Sequence, residues 1–292
     1  MHWFKKMMKK TRFLRHVRRW LDLAQGMNTD QMWGRIFDLR QKQLVKLDGF
    51  DLYVMPNDYI GSSIIDNRTY EPHVTQLIRH VLGGDDVFLD IGANVGYFTM
   101  LGWSIVNGSG KVIAFEPNPQ NLQLMYSTVL QNRAERIEIY PYAVSNAAGI
   151  LRFTTVGSNG GVVTKHSRDQ THYLLVQAVV LDEILEHEPK LDLVKIDIEA
   201  HEPFALQGMV GLIKKHRPKI ITEFHPWAMR LNNLGEPIEY LNQIIRLGYN
   251  LGVILPTGEI LDCSGSHDID SYWRALGEET MHLDLFAQPV GA

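Results

Sequence analysis

The chain has one cysteine in 292 residues, Cys263, so no internal disulfide can brace it and its thiol chemistry asks for no oxidising compartment. It lacks any run near the eighteen or so apolar residues that a membrane-spanning helix needs. It also lacks the unbroken apolar stretch of roughly seven to fifteen residues of a secretory signal, because bases interrupt every such run near the start. Acids are missing there as well. None precedes Asp22, whereas Lys5, Lys6, Lys9, Lys10, Arg12, Arg15, Arg18 and Arg19 supply eight of the 29 basic residues. Setting those aside leaves 21 bases against 33 acids, so a cationic arm precedes a body of −12 formal charge, and nucleic acid is not an expected partner of that body. A cytoplasmic location is the expectation.

What is present is a globular composition: 45% apolar and 10% aromatic residues, enough for one main domain with appendages. In residues 1–24, Met7, Leu14, Val17, Leu21 and Ala24 recur at helical spacing among the bases. That pattern predicts a basic amphipathic helix, read either as a solvated arm packed on the body or partly disordered, or as an attachment to an anionic membrane surface, such as the inner membrane face, or to an acidic partner. The organisation expected is an arm over 1–43, a β-hairpin and entry helix over 44–84, and a main domain over 85–292. Asp48-Gly49 between Leu44–Leu47 and Leu52–Val54 marks the hairpin, and Pro72 opens the entry helix.

From residue 87 onward, predicted strands alternate with predicted helices: strands at 87–90, 111–116, 137–140, 191–197, 219–223 and 251–255, with helices at 97–106, 120–131, 203–215 and 236–246. Short, non-alternating apolar strands between helices specify a doubly wound α/β sheet, mostly parallel and covered on both faces. Two extended stretches, near 150–155 and 173–180, stand apart. The glycine-rich loop 157–161 reads as a surface connection or a lid.

Phe88-Leu89-Asp90-Ile91-Gly92-Ala93-Asn94-Val95-Gly96-Tyr97 reads as a strand, a tight turn and a helix start. Gly92 and Gly96 let backbone approach a ligand closely, and Asn94 tolerates a left-handed conformation. A dinucleotide fingerprint needs glycines where Asn94 and Tyr97 stand, and a P-loop needs a lysine, so both phosphate readings fail. S-adenosylmethionine fits better, because a carboxylate such as Asp90 can face its ammonium. The next strand ends in Glu116-Pro117-Asn118, and a carboxylate there can bind both ribose hydroxyls. Tyr142 and Ala143 follow the third strand, where a backbone amide can reach adenine.

Asp197, Glu199 and His201 close the fourth core strand, and Glu223 and His225 close the fifth. Ligands in open α/β sheets sit at the carboxyl ends of strands, so these are the candidate catalytic residues. Methyl transfer needs alignment, and a base when the acceptor is an alcohol. Glu199 and Glu202 also read as ordinary first-turn acids of the helix over 203–215, and His201 as a surface histidine. No ligand spacing supports a metal, and none is expected.

Together DIGANVGYFT (90–99), VIAFEPNP (112–119), AVSNAAG (143–149), LDEIL (181–185), LVKIDIEAHE (193–202) and IITEFH (220–225) resemble the FkbM-type methyltransferases, over roughly residues 70–225. The resemblance implies S-adenosylmethionine, a class I methyltransferase sheet of Rossmann-like design with an antiparallel last strand at 281–287, and O-methylation of a hydroxyl on a saccharide or glycoconjugate. It also implies that Glu71 lies near the cofactor, while Asp197, on the strand-end edge that overlooks the methyl donor, is a candidate cofactor contact as well as a catalytic residue. One departure is Ala200, where the family pattern leads one to expect glycine. Nitrogen acceptors, polyketide hydroxyls and a non-catalytic cofactor-binding scaffold stay open on these motifs. The acceptor is expected to be a small molecule or a glycan.

Overall fold

A computed structural model describes residues 41–156, 159–162, 173–231, 234–277 and 282–291. The basic helix expected over residues 1–24 lies outside the described residues, as do 157 and 158 of the glycine-rich loop. The hairpin forms as expected from β1 (Gln43–Lys46) and β2 (Asp51–Val54), with Gly49 at φ +95° in its turn. A helix that the sequence reading did not anticipate follows, α1 (Tyr59–Asn67), capped by the Asp58 carboxylate on the amides of Ile60 (3.1 Å) and Gly61 (3.4 Å). The entry helix is α2 (Pro72–Val81).

The alternation then runs β3 (Val87–Ile91), α3 (Tyr97–Ile105), β4 (Lys111–Phe115), α4 (Pro119–Asn132) and β5 (Ile137–Tyr140). Helix α4 covers the open edge of the hairpin: Asn132 Oδ1 accepts from the Asp51 amide (2.8 Å) and Thr128 Oγ1 from the Tyr53 amide (3.0 Å). Satisfied in this way, β2 presents no bare strand edge there.

The extended stretches near 150 and 175 do not join the main sheet. β6 (Ala143–Val144), β7 (Gly149–Val156), β8 (Asn159–Val162) and β9 (Leu174–Val179) make a separate four-stranded sheet in the order β6-β9-β7-β8. Residues 159–161 of the glycine-rich loop are therefore strand, paired with β7.

The chain continues through α5 (Leu181–Ile184), β10 (Leu193–Ile196), α6 (Glu202–Gln207), α7 (Val210–His216), β11 (Lys219–Phe224), α8 (Pro226–Leu231), α9 (Pro237–Arg246), β12 (Tyr249–Ile254), β13 (Ile260–Cys263), α10 (Ser266–Leu276) and β14 (Leu283–Pro289). The single helix expected over 203–215 is two, broken at Gly208-Met209. A Cβ on Gly208 would stand 2.2 Å from the Ser145 carbonyl, so close approach to β6 sets the break. The restart at α7 is capped from 29 residues away, by Asp182 oxygens on the amides of Gly211 and Leu212, both at 2.8 Å.

The main sheet has eight strands in the order β13-β12-β14-β11-β10-β3-β4-β5, and β11, β10, β3, β4 and β5 are parallel. Strand β14 inserts antiparallel between β11 and β12. The antiparallel last strand is thus present, though displaced from the expected span: it starts at Leu283 and runs to Pro289. Neighbouring β3 residues feed different apolar clusters, Leu89 one and Phe88 the other, which puts a core on each face of the sheet. Because β14 runs against β11, its leading residues reach the edge where β3, β4, β10 and β11 end. Among the described residues, no helix is long and apolar enough to cross a membrane.

Candidate active site

The turn after β3 carries three left-handed residues, Gly92 (φ +83°), Asn94 (φ +52°) and Gly96 (φ +88°). Their glycines serve protein contacts more than a ligand. A Cβ on Gly92 would stand 1.9 Å from the Asp197 carbonyl oxygen, and one on Gly96 would press on Met125. The amides of Gly92 and Ala93 both donate to the Phe115 carbonyl (2.9 and 3.0 Å). Glu116 joins the turn to β4: Oε2 accepts from the Asn94 amide and Oε1 from the Asn118 amide, each at 2.8 Å, and Asn121 Nδ2 adds a contact to Oε1 at 3.3 Å. Burial pushes the Glu116 carboxyl up to about 8, with these amides pulling the other way.

Beside this turn lies a cavity of about 560 Å³. Its lining includes Gly92, Ala93, Asn94, Phe115, Glu116, Pro117, Tyr142 and Ala143 together with Glu71, Asp197, Glu199, His201, Glu223 and His225. Every candidate catalytic residue of the sequence reading therefore faces one space. Three candidate cofactor residues do not line it. Gly96 shapes the turn, and Asn118 caps α4 on the Gln120 amide (3.1 Å). Asp90 is fully buried, accepts from Thr99 Oγ1 at 2.6 Å, and keeps Oδ1 without a protein partner. Direct contact between Asp90 and a ligand in the cavity is thus not what this geometry offers.

The sequence reading assigned no role to Lys195. It is 3% exposed in β10, with Nζ 2.7 Å from Asp197 Oδ2 and 4.6 Å above the Phe98 ring. Burial alone lowers a lysine pKa, but Asp197, Glu71 and Asp90 around it carry Lys195 above its ordinary value. A charged residue inside an apolar strand was the signal, since lysine is almost never buried unless paired. His282 also lines the cavity, and Asp284 accepts His73 Nε2 at 2.6 Å. Both arrive with β14 and carry no local sequence signal.

The acidic wall is strongly perturbed. Burial raises Glu71 well above the usual carboxylate range, with Asp284 and Asp197 adding to it. Burial and then Asp197 push Glu199 up to about 7, and burial followed by Asp197 and Glu199 raises Glu223. His201 is pushed down to about 4 by burial; its Nε2 lies 3.1 Å from Ser145 Oγ and its ring stacks on Phe204 at 4.7 Å. Burial, then His282, brings His225 to about 4 as well. Glu199 (φ +55°) and Ala200 (φ +75°) are consecutive left-handed residues, so the position where glycine was expected does have a glycine-like backbone. Glu202 Oε1 braces that turn from the amides of Ile198 (2.9 Å) and Ala200 (3.3 Å), a role other than an exposed first-turn acid.

A glycine turn and a strand-end carboxylate thus stand beside an acidic wall at the C-terminal edge of the parallel strands. Residues 90–251 match the model of the methyltransferase FkbM domain, and the chain belongs to that family. Its cofactor is S-adenosylmethionine. A curated relative, the hexuronic acid methyltransferase AglP of Haloferax volcanii, is 29% identical over 160 residues, 53% of this chain and 62% of that protein. The chain therefore matches less than two thirds of that relative's length. Among solved structures, the methyltransferase FkbM from Methylobacillus flagellatus KT is 16% identical, with 94% of this chain and 59% of that one covered at a TM-score of 0.44. Aeropyrum pernix fibrillarin, solved with natively bound S-adenosyl-L-methionine, is 10% identical, with 91% and 85% covered at a TM-score of 0.42.

The residues present fit the cofactor. The cavity falls within the ~300–1,000 Å³ of ordinary small-molecule sites. Four wall carboxylates, Glu71, Asp197, Glu199 and Glu223, face it with one buried ammonium, Lys195, already paired, which suits a ligand bearing a sulfonium and an ammonium. Among the described residues, no group of three or more His, Cys, Asp or Glu is arranged to hold a metal.

Proposed function

We propose that the chain transfers a methyl group from S-adenosylmethionine to a hydroxyl of a saccharide or glycoconjugate. The observation carrying this reading is the one cavity lined by the turn residues Gly92, Ala93 and Asn94, by Glu116, and by Asp197, Glu199 and Glu223. In this reading Gly92, Ala93, Asn94 and Glu116 hold the nucleoside, with Pro117, Tyr142 and Ala143 beside it, while Glu71 and Asp197 face the amino-acid end. The cofactor supplies an electrophilic methyl carbon on sulfur. What the protein adds is alignment of the acceptor oxygen with that carbon, which needs polar groups fixed by packing. Asp197, held by Lys195, and Glu199, fixed by the braced turn, provide such groups.

The saccharide class comes from the relative that methylates a hexuronic acid. The choice of hydroxyl over carboxylate follows the family resemblance, which implies O-methylation of a hydroxyl. The basic segment 1–24 supports a further reading, of a cytoplasmic enzyme resting on the inner membrane face. Transfer of labelled methyl to a panel of oligosaccharides tests the acceptor. The label is expected in a product stable to mild alkali, as an ether is; release by alkali would identify an ester and reject the hydroxyl assignment.

A further inference from the structure

We infer that His282 is the general base for the acceptor hydroxyl and that Glu223 is its positioning residue, an inference that rests on the cavity being a methyl-transfer site. His282 lines the cavity from the start of β14, with its side chain 41% exposed and its Nδ1 3.3 Å from Glu223 Oε1. Glu223 is in β11, whose register pairs it with Asp284, and its side chain is only 10% exposed. A carboxylate fixed in a strand thus holds one ring nitrogen of a histidine whose other side is open to the cavity. With the Nδ1 proton directed at Glu223, the lone pair sits on Nε2.

The other two histidines that line the cavity are buried, His201 with its Nδ1 closed off from the cavity and unpartnered. His201 is 6% exposed, stacked on Phe204 and near Ser145, and His225 is 4% exposed with Nδ1 accepting the Ala228 amide at 3.2 Å. Burial leaves both weakly basic, and Asp197 is neutralised by Lys195. Glu199 is the competing base.

In the step inferred, the acceptor oxygen bonds to the donated methyl carbon as the carbon–sulfur bond breaks and its electron pair stays on sulfur. The hydroxyl proton passes to His282 Nε2, giving an imidazolium paired with the Glu223 carboxylate. The titratable groups facing this pair are Asp197 and Glu199 on the turn after β10, Glu202 on α6, Asp284 on β14, and His225 after β11. Their acids favour that imidazolium. They also favour keeping a proton on Glu223, so the pair acts as base only after losing it and the rate rises with pH.

The test uses the full chain labelled with ¹⁵N-histidine, and H282Q, E223Q and E199Q variants. In E223Q the His282 ring-nitrogen resonances, identified by their loss in H282Q, should lose the bias toward the Nδ1-protonated tautomer that the Glu223 contact imposes. An unchanged tautomer pattern would overturn the pairing whether or not any acceptor is known. With a methylated saccharide in hand, H282Q should lower kcat by roughly 10²–10⁴-fold with cofactor affinity unchanged, and E223Q should move the ascending limb of the pH–rate profile. Wild-type kcat in H282Q, or loss of the rising limb in E199Q alone, would overturn the base assignment. If no hydroxyl compound is methylated although the cofactor binds, it is the proposed function that fails, and the ring-nitrogen tautomer pattern still decides the pairing.

Discussion

The carbonyl oxygen of Asp197 occupies the space in which a side chain on Gly92 would begin, 1.9 Å from that hypothetical Cβ. Two strand ends thereby lock together, the one that makes the cofactor turn and the one that carries the acidic wall. The geometry of each depends on the other, which is why a residue that reads as a ligand contact also fixes the catalytic edge.

Gly92→Ala should therefore damage stability and binding together. A left-handed alanine costs about 1–2 kcal/mol, and forcing a methyl against backbone adds about 1–3 kcal/mol. The expected result is a Tm lower by several degrees and cofactor binding below calorimetric detection. A variant with wild-type Tm would show that the two strand ends are not in contact.

Lys195→Met removes the single buried ammonium among Glu71, Asp90 and Asp197. Breaking a buried pair on one side costs about 3–5 kcal/mol, because the partner charges stay behind. Those acids escape the penalty by taking up protons, so the loss measured by denaturant titration should be smaller at pH 5 than at pH 8. Equal losses at both pH values would argue against the charge cluster.

Cofactor-free stability should fall between pH 6.5 and 8. Glu199 (about 7), Glu116 (about 8) and Glu202 (about 8) are raised chiefly by burial from 4.5, so the folded state holds protons that the unfolded chain has released. Their contribution is present below pH 4.5 and is lost as pH climbs through the folded values. His201 and His225, lowered by burial to about 4 from 6.5, act oppositely but only between 4 and 6.5. Above 6.5 the carboxyls alone change, and a Tm that rises from pH 6.5 to 8 would contradict this balance.

Much of this was legible locally. The Asp48-Gly49 hairpin, the strand–helix alternation, the Gly92–Gly96 turn and Glu116 all follow from residues within a few positions of one another. What was hidden depends on distant contacts. Gly208 ends a helix because β6 lies against it, Asp182 caps another from 29 residues away, and His282 enters the cavity because β14 runs antiparallel beside β11. Ala200 is intermediate: its departure from glycine was visible, but not the Glu202 brace that holds its φ of +75°.

Glu202→Ala should accordingly destabilise the chain by about 1–3 kcal/mol, since buried amides at Ile198 and Ala200 lose their acceptor. Glu202→Gln keeps a carbonyl oxygen and should recover most of that in the same denaturant titration. Equal losses in the two variants would place the effect elsewhere.

The central claim is that the cavity beside the Gly92–Gly96 turn takes S-adenosylmethionine through Glu116. Calorimetric titration of wild type and Glu116→Ala with the cofactor tests it most directly. The wild type should bind and the variant should show no measurable heat of binding, because the ribose acceptor and the support of the Asn94 and Asn118 amides go together. Near wild-type affinity in a folded Glu116→Ala protein would contradict it.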